Sequence, residues 1–421
     1  MLTPPSGRTG RITRDLPRIS AELVIAAIGF TFIGWAVVAN QQWFDRHFLP
    51  AFFVSRQMYA QIEMIGRVSA LALGLVLLFI ARPFLGRLVA RHTWVVFNTL
   101  AAIVLAFVAS EVILSQLHAH AAEQEPAGQE PRRRLDARLG WTFVPSRAAD
   151  YVESGRRIQY AFDVHGYRVR SLSEPVDFER PSILFTGESM MVGEGLTWDE
   201  SVPARVGAAL GVQSANLAVS AYATDQAYLR LLTELPRFQH PLAIVTLFTP
   251  AIFDRNMDDD RPHLGPGLVW QPPVTRWRML DILRLLVRYR KVETIDRGVA
   301  VTRDAFRATI ALAHAHRATP LIVVPQFGPE EAADRALRAR ILDDPDFPVV
   351  RVELDGSWRI PGDRHPDARA AQAIASAIVA RLRDGVDTVD RVDSLDRVDR
   401  VDRVETVDRV DRAGGVERTK R

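Results

Sequence analysis

The sequence predicts an α/β domain, a parallel sheet covered by helices on both faces, preceded by a membrane region of about three transmembrane helices. Between residues 139 and 384, short apolar runs alternate with segments of helical periodicity, a pattern typical of parallel strands joined by crossover helices. Before residue 118, long apolar runs differ sharply in composition from everything that follows. The chain is therefore expected to combine a membrane anchor with one large α/β domain.

The membrane region is predicted over residues 1–117. Its apolar runs are 23–39, 68–81 (extendable back through Met64) and 94–114. No small-residue cleavage site follows the first run, which favours a retained helix over a cleaved signal peptide. Arginines before that run and around Arg87 favour the cytoplasmic side, so three spans would leave the large domain outside the cytoplasm. Two spans would leave it inside.

Polar segments flank the domain on both sides. Residues 118–138 contain Pro126, Pro131 and three consecutive arginines, and are predicted to be a linker. Residues 385–421 are dominated by a Val-Asp-Arg repeat. A period of three drifts around a helix, so the valines never form one lasting apolar stripe and a solvated, low-complexity tail is expected.

The composition excludes some classes of function. The chain has no cysteine, which excludes disulfides and thiolate chemistry. Its formal charge is +3, and no basic stripe alternates with exposed aromatics, so no nucleic-acid partner is predicted. The run Asp258-Asp259-Asp260 has no histidine at ligand spacing, so it is predicted to be a solvated loop and no metal is expected.

The α/β pattern consists of five strands and five helices. The strands are predicted at 183–186, 215–219, 242–248, 321–324 and 349–354. The helices are predicted at 201–210, 224–235, 277–290, 302–316 and 366–383. Because parallel strands end at one edge of the sheet, the loops that follow them are expected to form the site.

A serine follows the first of these strands in a distinctive context. The apolar run ends at Thr186, and Gly187-Glu188-Ser189 precedes a short helical signal. This pattern predicts a strand, a tight turn and a helix start that present the Ser189 hydroxyl at the sheet edge, where a helix N-terminus favours negative charge. His365 and Asp363 lie late in the chain, and they could supply the base that a serine nucleophile needs and the carboxylate that orients it.

Several blocks together resemble the SGNH (GDSL-type) hydrolase family. The segment from Gly187 to Gly195 resembles Gly-Asp-Ser-x-x-x-Gly-x-Gly, with Glu188 in place of the aspartate. Residues 216–226 resemble Asn-Leu-Gly-Val-x-Gly-Tyr-Gly-Thr-x-Gln, and residues 139–141 and 162–168 resemble the lead-in of membrane-linked members. The resemblance covers roughly residues 139–384. It implies a flavodoxin-like three-layer α/β fold.

The resemblance also implies roles for the site residues and no cofactor. Ser189 would be the nucleophile, His365 the general base and Asp363 the group that orients the imidazole. The commonest family spacing puts the aspartate three residues before the histidine, where this chain has Gly362; the Asp-x-His spacing occurs in some membrane-linked relatives. The alternative is that His365-Pro366 opens a helix that Asp363 caps.

The chain departs furthest from the family at the oxyanion hole. The expected donors are the N–H groups of Ser189 and of Ala221, which replaces a glycine, and an asparagine amide in the third block. Ala251 stands at that third position. Losing one donor typically lowers the rate 10²–10³-fold, about 3 kcal/mol. Asn256 is a candidate substitute, and a simple turn role for it is as consistent with the sequence.

The favoured hypothesis is a serine ester hydrolase or acyl-transfer enzyme in a bacterial inner membrane, with its α/β domain extracytoplasmic. Family and location imply an O-acylated polysaccharide or lipid of the cell envelope as substrate. The alternative is a catalytically degenerate module that binds a glycan or partner protein, motivated by Ala218, Ala221 and Ala251. A third hypothesis makes the spans a docking platform for a separate membrane acyl donor.

Overall fold

A computed structural model describes residues 9–40, 43, 56–123, 130–153, 155–279 and 291–384. The predicted repeat tail at 385–421 and most of the predicted helix at 277–290 lie outside these residues.

The N-terminal region is built of long helices. They are α1 (Thr9–Val38), α2 (Arg56–Val76), a π-helical turn (Leu77–Ala81), α3 (Arg82–Arg91) and α4 (Thr93–Glu123). Three stretches are long and apolar enough to cross a membrane: Pro17–Val38, Gln57–Arg91 and Thr93–Leu117. The three predicted apolar runs therefore lie in helices of spanning length, and the second stretch begins earlier than predicted.

Glycines allow the first two stretches of spanning length to approach closely. A Cβ added at Gly29 would lie 2.9 Å from Leu78 Cγ, and one at Gly74 would lie 2.7 Å from Ile33 Cγ1. Small residues at such crossings let helix backbones come together in a lipid environment, where packing rather than water exclusion drives association. The two helices therefore form a packed pair.

The third helix of spanning length, α4, also contacts the segment that follows the run Asp258-Asp259-Asp260. The Glu111 carboxylate accepts hydrogen bonds from the backbone N–H groups of Arg278 (2.7 Å) and Met279 (2.8 Å). The rings of Phe107 and Trp277 lie 5.9 Å apart. These contacts tie residues 277–279 to the end of α4 that leads into the α/β domain.

The α/β domain is organised around an eight-stranded sheet. Its spatial order is β12-β11-β8-β6-β7-β5-β4-β3. These strands are β3 (Arg147–Glu153), β4 (Arg156–Phe162), β5 (Arg168–Val169), β6 (Ser182–Thr186), β7 (Gln213–Asn216), β8 (Pro241–Leu247), β11 (Thr319–Phe327) and β12 (Val349–Leu354). The five strands from β12 to β7 are parallel, and β5, β4 and β3 continue the sheet antiparallel. Two small antiparallel pairs are β1 (Arg133–Asp136) with β2 (Gly140–Phe143), and β9 (His263–Leu264) with β10 (Trp270–Gln271).

Helices connect the parallel strands. They are α5 (Ser189–Val192), α6 (Val202–Leu210), α7 (Thr224–Glu234), α8 (Val292–Ala315), α9 (Ala332–Leu342) and α10 (368–384). A 3₁₀-helix at Pro250–Met257 follows β8.

Helices cover both faces of the parallel strands. Phe185 and Val245 face one side and pack with residues of α6 and α10, such as Val206 and Ile374. Alternate residues such as Leu184 pack on the other side against α7 and α8. Burial on both faces explains why the strands are continuous apolar runs, and it confirms the predicted three-layer α/β fold.

Most predicted elements are present, with some different boundaries. The five predicted strands form the parallel half of the sheet, although β7 ends at Asn216 rather than at residue 219. The helix predicted at 302–316 begins at Val292. Local propensity disfavours Gly298 in a helix, but a Cβ there would lie 2.7 Å from Met257 Cγ, so the glycine allows close packing.

The structure contains regular elements within the predicted linker and adds antiparallel strands to the sheet. The segment 118–138 contains the end of α4 and the strand β1, so part of it has regular structure. The strands β3 and β4 were not predicted, because their mixed polar sequences lack the continuous apolar character of the parallel strands.

Candidate active site

The turn after β6 presents Ser189 at the carboxyl edge of the sheet. Gly187 adopts φ +139°, and Glu188 is the N-cap of α5, where its carboxylate accepts a hydrogen bond from Met190 N–H (3.1 Å). Gly193, at φ +82°, ends the short helix in the left-handed region that glycine tolerates. The predicted strand, turn and helix start are therefore all observed.

The structure brings Ser189, His365 and Asp363 into hydrogen-bonding contact. The Oγ of Ser189 lies 2.7 Å from Nε2 of His365. The Nδ1 of His365 lies 2.8 Å from each carboxylate oxygen of Asp363. Ser189 and His365 are only 4% and 7% exposed. The three predicted residues thus form a nearly buried chain in which a proton can pass from a hydroxyl to an imidazole held by a carboxylate.

The helix after His365 is capped by a different aspartate. The carboxylate of Asp367 accepts hydrogen bonds from the N–H groups of Arg369 (2.9 Å) and Ala370 (3.1 Å) at the start of α10. Asp363 accepts from the backbone N–H groups of Arg364 and His365 in its own turn and from the imidazole of His365, whereas the start of α10 donates to Asp367. The alternative in which Asp363 only caps this helix is therefore wrong.

Glu188 is a second partner of the serine hydroxyl. Its fully buried carboxylate lies 2.5 Å from Oγ of Ser189. Because a hydroxyl has one proton, Ser189 donates either to Glu188 or to His365. When Ser189 donates to Glu188, Nε2 of His365 must carry a proton and donate to Oγ. That arrangement holds the imidazole in its doubly protonated form.

Glu194 faces the same imidazole from the turn after α5. One of its oxygens lies 3.4 Å from Nε2 of His365, and the other accepts a hydrogen bond from the Ser220 hydroxyl. Burial raises the pKa of Glu194, while the charge of His365 and the Ser220 hydrogen bond oppose this. The motif comparison in the sequence used only the glycines on either side of Glu194 and gave the carboxylate no role.

The pKa of His365 is raised by its acidic neighbours. Burial lowers the pKa of His365, but the hydrogen bond to Asp363 and the charges of Glu194, Asp363 and Glu188 outweigh that effect. A carboxylate close to an imidazole favours the charged imidazolium. The site is thus built to stabilise the positive charge that a general base acquires.

A buried arginine holds the turn that carries Glu194. The guanidinium of Arg168 donates to the backbone carbonyls of Val192, Gly193 and Leu196, each at 2.6 Å. It also lies over the ring of Tyr160, 4.7 Å from its centre. Arg168 belongs to the lead-in segment noticed in the sequence, but a structural role for it there could not be assigned, because the turn it holds is distant along the chain.

The second block is joined to the nucleophile helix, and it has an unusual backbone conformation at Ala221. Ala221 adopts φ +63°, in the left-handed region, at the position where the family has a glycine. The side chain of Asn216 donates to the carbonyl of Met191 (3.0 Å) and accepts from Ala218 N–H (3.2 Å), joining this block to the nucleophile helix. The alanine at 221 has thus kept the backbone conformation expected of a glycine.

Asn256 is not available as an oxyanion donor. Its amide nitrogen donates to the hydroxyls of Thr224 (3.1 Å) and Thr302 (2.7 Å), and its oxygen accepts from Thr224 N–H (2.8 Å). Both amide hydrogens are therefore used to fasten the start of α7 to α8. The prediction that Asn256 could replace the missing donor is corrected by these contacts.

Arg255, one residue earlier, reaches the nucleophile turn from this loop. Its Nη1 lies 3.4 Å from Oε2 of Glu188. The acidic run that follows is partly paired, since Asp259 forms an ion pair with Arg276. Among the described residues, no group of three or more His, Asp or Glu side chains is arranged to hold a metal.

Comparisons with known proteins return structures but no families. No protein-family model matches the chain, and no curated protein matches it. A solved G-D-S-L family lipolytic protein from Desulfitobacterium hafniense is 11% identical, covers 48% of this chain and 98% of its own, and has a TM-score of 0.31. An acetyl xylan esterase from Butyrivibrio proteoclasticus is 13% identical, covers 51% of this chain and 66% of its own, and has a TM-score of 0.31. A salicylyl-acyltransferase from a tetracycline biosynthetic pathway is 15% identical, covers 50% and 57%, and has a TM-score of 0.28.

The chain is similar to GDSL-type proteins over about half of its length. These are proteins of the group that its sequence motifs resemble.

Proposed function

We propose that this chain is a membrane-anchored serine ester hydrolase or acyl-transfer enzyme of the SGNH type. The observation that carries the proposal is the continuous contact from the Ser189 hydroxyl through His365 to Asp363, at 2.7 and 2.8 Å. A nucleophile, a base and a carboxylate that orients the base are the three groups that acyl transfer through serine requires.

In the proposed reaction, Oγ of Ser189 attacks the carbonyl carbon of an ester while Nε2 of His365 takes the hydroxyl proton. The tetrahedral intermediate collapses, the C–O bond to the alcohol breaks, and His365 returns the proton to the departing oxygen. A water molecule or an acceptor hydroxyl then attacks the acyl-enzyme, giving its proton to His365. The second tetrahedral intermediate collapses, the acyl C–Oγ bond breaks, and His365 returns the proton to Oγ, which releases the acid or the new ester and regenerates the serine.

Asp363 acts by holding the imidazole. It accepts the Nδ1–H bond, which leaves Nε2 directed toward Ser189 in the required tautomer. The carboxylate also stabilises the imidazolium that forms when Ser189 loses its proton, without becoming protonated itself.

The proposed location follows from the membrane helices. Three helices of spanning length would place the α/β domain on the side opposite the N-terminus, and an arginine-rich N-terminus prefers the cytoplasm. An extracytoplasmic domain held near the bilayer suits an O-acylated polysaccharide or lipid of the cell envelope. A separate membrane protein that delivers the acyl group would fit the same arrangement.

A fluorophosphonate probe tests the proposal, because it reacts with serines that an adjacent base activates. Full-length protein in detergent should be labelled, and Ser189→Ala should abolish the labelling. Ser173→Ala is a matched control, since that exposed serine contacts Ser171 and lies outside the contact chain described above. Wild-type labelling no stronger than that of Ser189→Ala would defeat the proposal.

A catalytically degenerate module that binds a glycan or partner protein is the second candidate. The observation that favours it is Ala251, whose methyl group stands where the family has an oxyanion donor. Turnover of p-nitrophenyl acetate distinguishes the two. Turnover that is lost in His365→Ala would reject the degenerate module, and absence of turnover together with glycan binding would support it.

A further inference from the structure

The third position of the proposed oxyanion hole has no side-chain donor from the expected residue. Ala251 has only a methyl group, and both hydrogens of the Asn256 amide are held by threonine hydroxyls. An oxyanion hole with only two backbone donors would forfeit a large part of the rate, because each donor is worth about 10²–10³-fold. The same loop, however, brings a cation to the nucleophile turn.

We propose that the Arg255 guanidinium supplies the missing donor and binds the oxyanion of the tetrahedral intermediate. This inference rests on the proposed function. Arg255 lies on the 3₁₀-helix Pro250–Met257, four residues after Ala251, so it extends from the loop in which the family places its amide. Its side chain is 18% exposed, which makes it a largely desolvated cation.

Arg255 is close enough to act at the nucleophile. Its Nη1 lies 3.4 Å from Oε2 of Glu188, and that same oxygen lies 2.5 Å from Oγ of Ser189. The guanidinium nitrogen is therefore no farther from Oγ than these two distances combined. The oxyanion forms on the former carbonyl oxygen, attached to the carbon that bonds to Oγ, so the proposal requires the Arg255 side chain to donate an N–H to that oxygen from its position beside Glu188.

The acidic groups around the site favour a cation beside the nucleophile. Asp363, Glu194 and Glu188 surround the Ser189–His365 pair, and a developing oxyanion beside three acidic groups would be strongly disfavoured. The imidazolium offsets part of this charge. Arg255 offsets more, and a charge-assisted hydrogen bond from a guanidinium is stronger than one from a neutral amide.

A simpler role for Arg255 is to neutralise Glu188 without touching the substrate, and a double-mutant cycle separates the two roles. Kinetics of p-nitrophenyl acetate hydrolysis are measured for wild type, Arg255→Met, Glu188→Gln and the double variant. If Arg255 is an oxyanion donor, its loss lowers kcat whether or not residue 188 is charged. A partner that only neutralises Glu188 is no longer needed once that residue is glutamine.

We expect Arg255→Met to lower kcat 10²–10³-fold with KM nearly unchanged, and the same loss to appear in the Glu188→Gln background. In Arg255→Ala, added methylguanidine should restore part of kcat, which a purely structural residue would not allow. Arg276→Met is the matched control, because that arginine pairs with Asp259 and should leave kcat unchanged.

Two results would overturn the inference: a loss that disappears in the Glu188→Gln background, or no recovery with methylguanidine in folded Arg255→Ala. If Arg255→Met does not fold, methylguanidine is added to Arg255→Ala in both the wild-type and the Glu188→Gln backgrounds, and recovery of kcat in both decides the question. Failure of the proposed function is a different outcome, since wild type would then show neither turnover nor probe labelling. A wild type that turns over with an Arg255→Met variant of equal kcat would refute only the role of Arg255.

Discussion

The turn that carries Glu188 and Ser189 and the 3₁₀-helix that approaches it follow the family pattern to different degrees. The turn at 187–195 matches it in spacing, and its residues take the expected strand, turn and helix. The 3₁₀-helix Pro250–Met257 lacks the expected amide and instead contributes Arg255. We infer that different segments determine the two parts of the proposed reaction. The turn that matches the family pattern determines proton transfer, and the 3₁₀-helix determines oxyanion binding.

The largest expected effect comes from removing His365, the residue that contacts Ser189 in the turn that matches the family pattern. His365→Ala removes the base that contacts Ser189, so we expect kcat to fall by about 10⁴–10⁶-fold, as for other serine triads. Steady-state hydrolysis of p-nitrophenyl acetate measures the loss. A fall comparable to the 10²–10³-fold expected for Arg255→Met would mean that His365 is not the base.

Substitution of Asn256 in the same loop is expected to have a smaller effect, on stability rather than on kcat. Asn256→Ala removes hydrogen bonds to Thr224 and Thr302, and we expect it to reduce the free energy of unfolding by about 1–3 kcal/mol while kcat is unchanged. Thermal unfolding and kinetics on the same preparation separate these readouts. A drop in kcat with an unchanged melting temperature would support Asn256 as an oxyanion donor.

A pH profile sharpens the role of the acidic turn. Glu194 is among the charges that raise the pKa of His365, so Glu194→Gln should lower it. Since His365 must be neutral to accept the Ser189 proton, kcat/KM falls as pH falls through that pKa. The acid limb of the variant should therefore move to lower pH, by about one unit or less. A limb that moves to higher pH would show that Glu194 does not act through its charge on His365.

The parallel half of the fold could be predicted from the sequence because its determinants are local. Each strand is a short apolar run buried on both faces, and the turn at Gly187 has its own glycine signal. The carboxylate at Nδ1 of the imidazole was also predicted, since Asp363 lies two residues from His365. Their contact with Ser189 followed from the family pattern.

Other features depend on contacts between distant parts of the chain. Arg255 could not be assigned from sequence, because its partner Glu188 is far away and arginine is common throughout this protein. Asn256 was misplaced for the same reason: only the fold shows that α7 and α8 supply its acceptors. The antiparallel strands were missed because their mixed polar pattern resembles that of loops.

The smallest expected effect concerns the backbone of the second block. Ala221 holds φ +63°, a conformation that costs a residue with a Cβ roughly 1 kcal/mol. Ala221→Gly relieves that strain but gives the unfolded chain more freedom, so we expect a net gain of at most about 1 kcal/mol. The N–H of residue 221 keeps its place, and kcat should not change. A lower melting temperature would show that the Ala221 methyl group contributes packing that outweighs the strain, and a large change in kcat would show that the strain itself positions the N–H group.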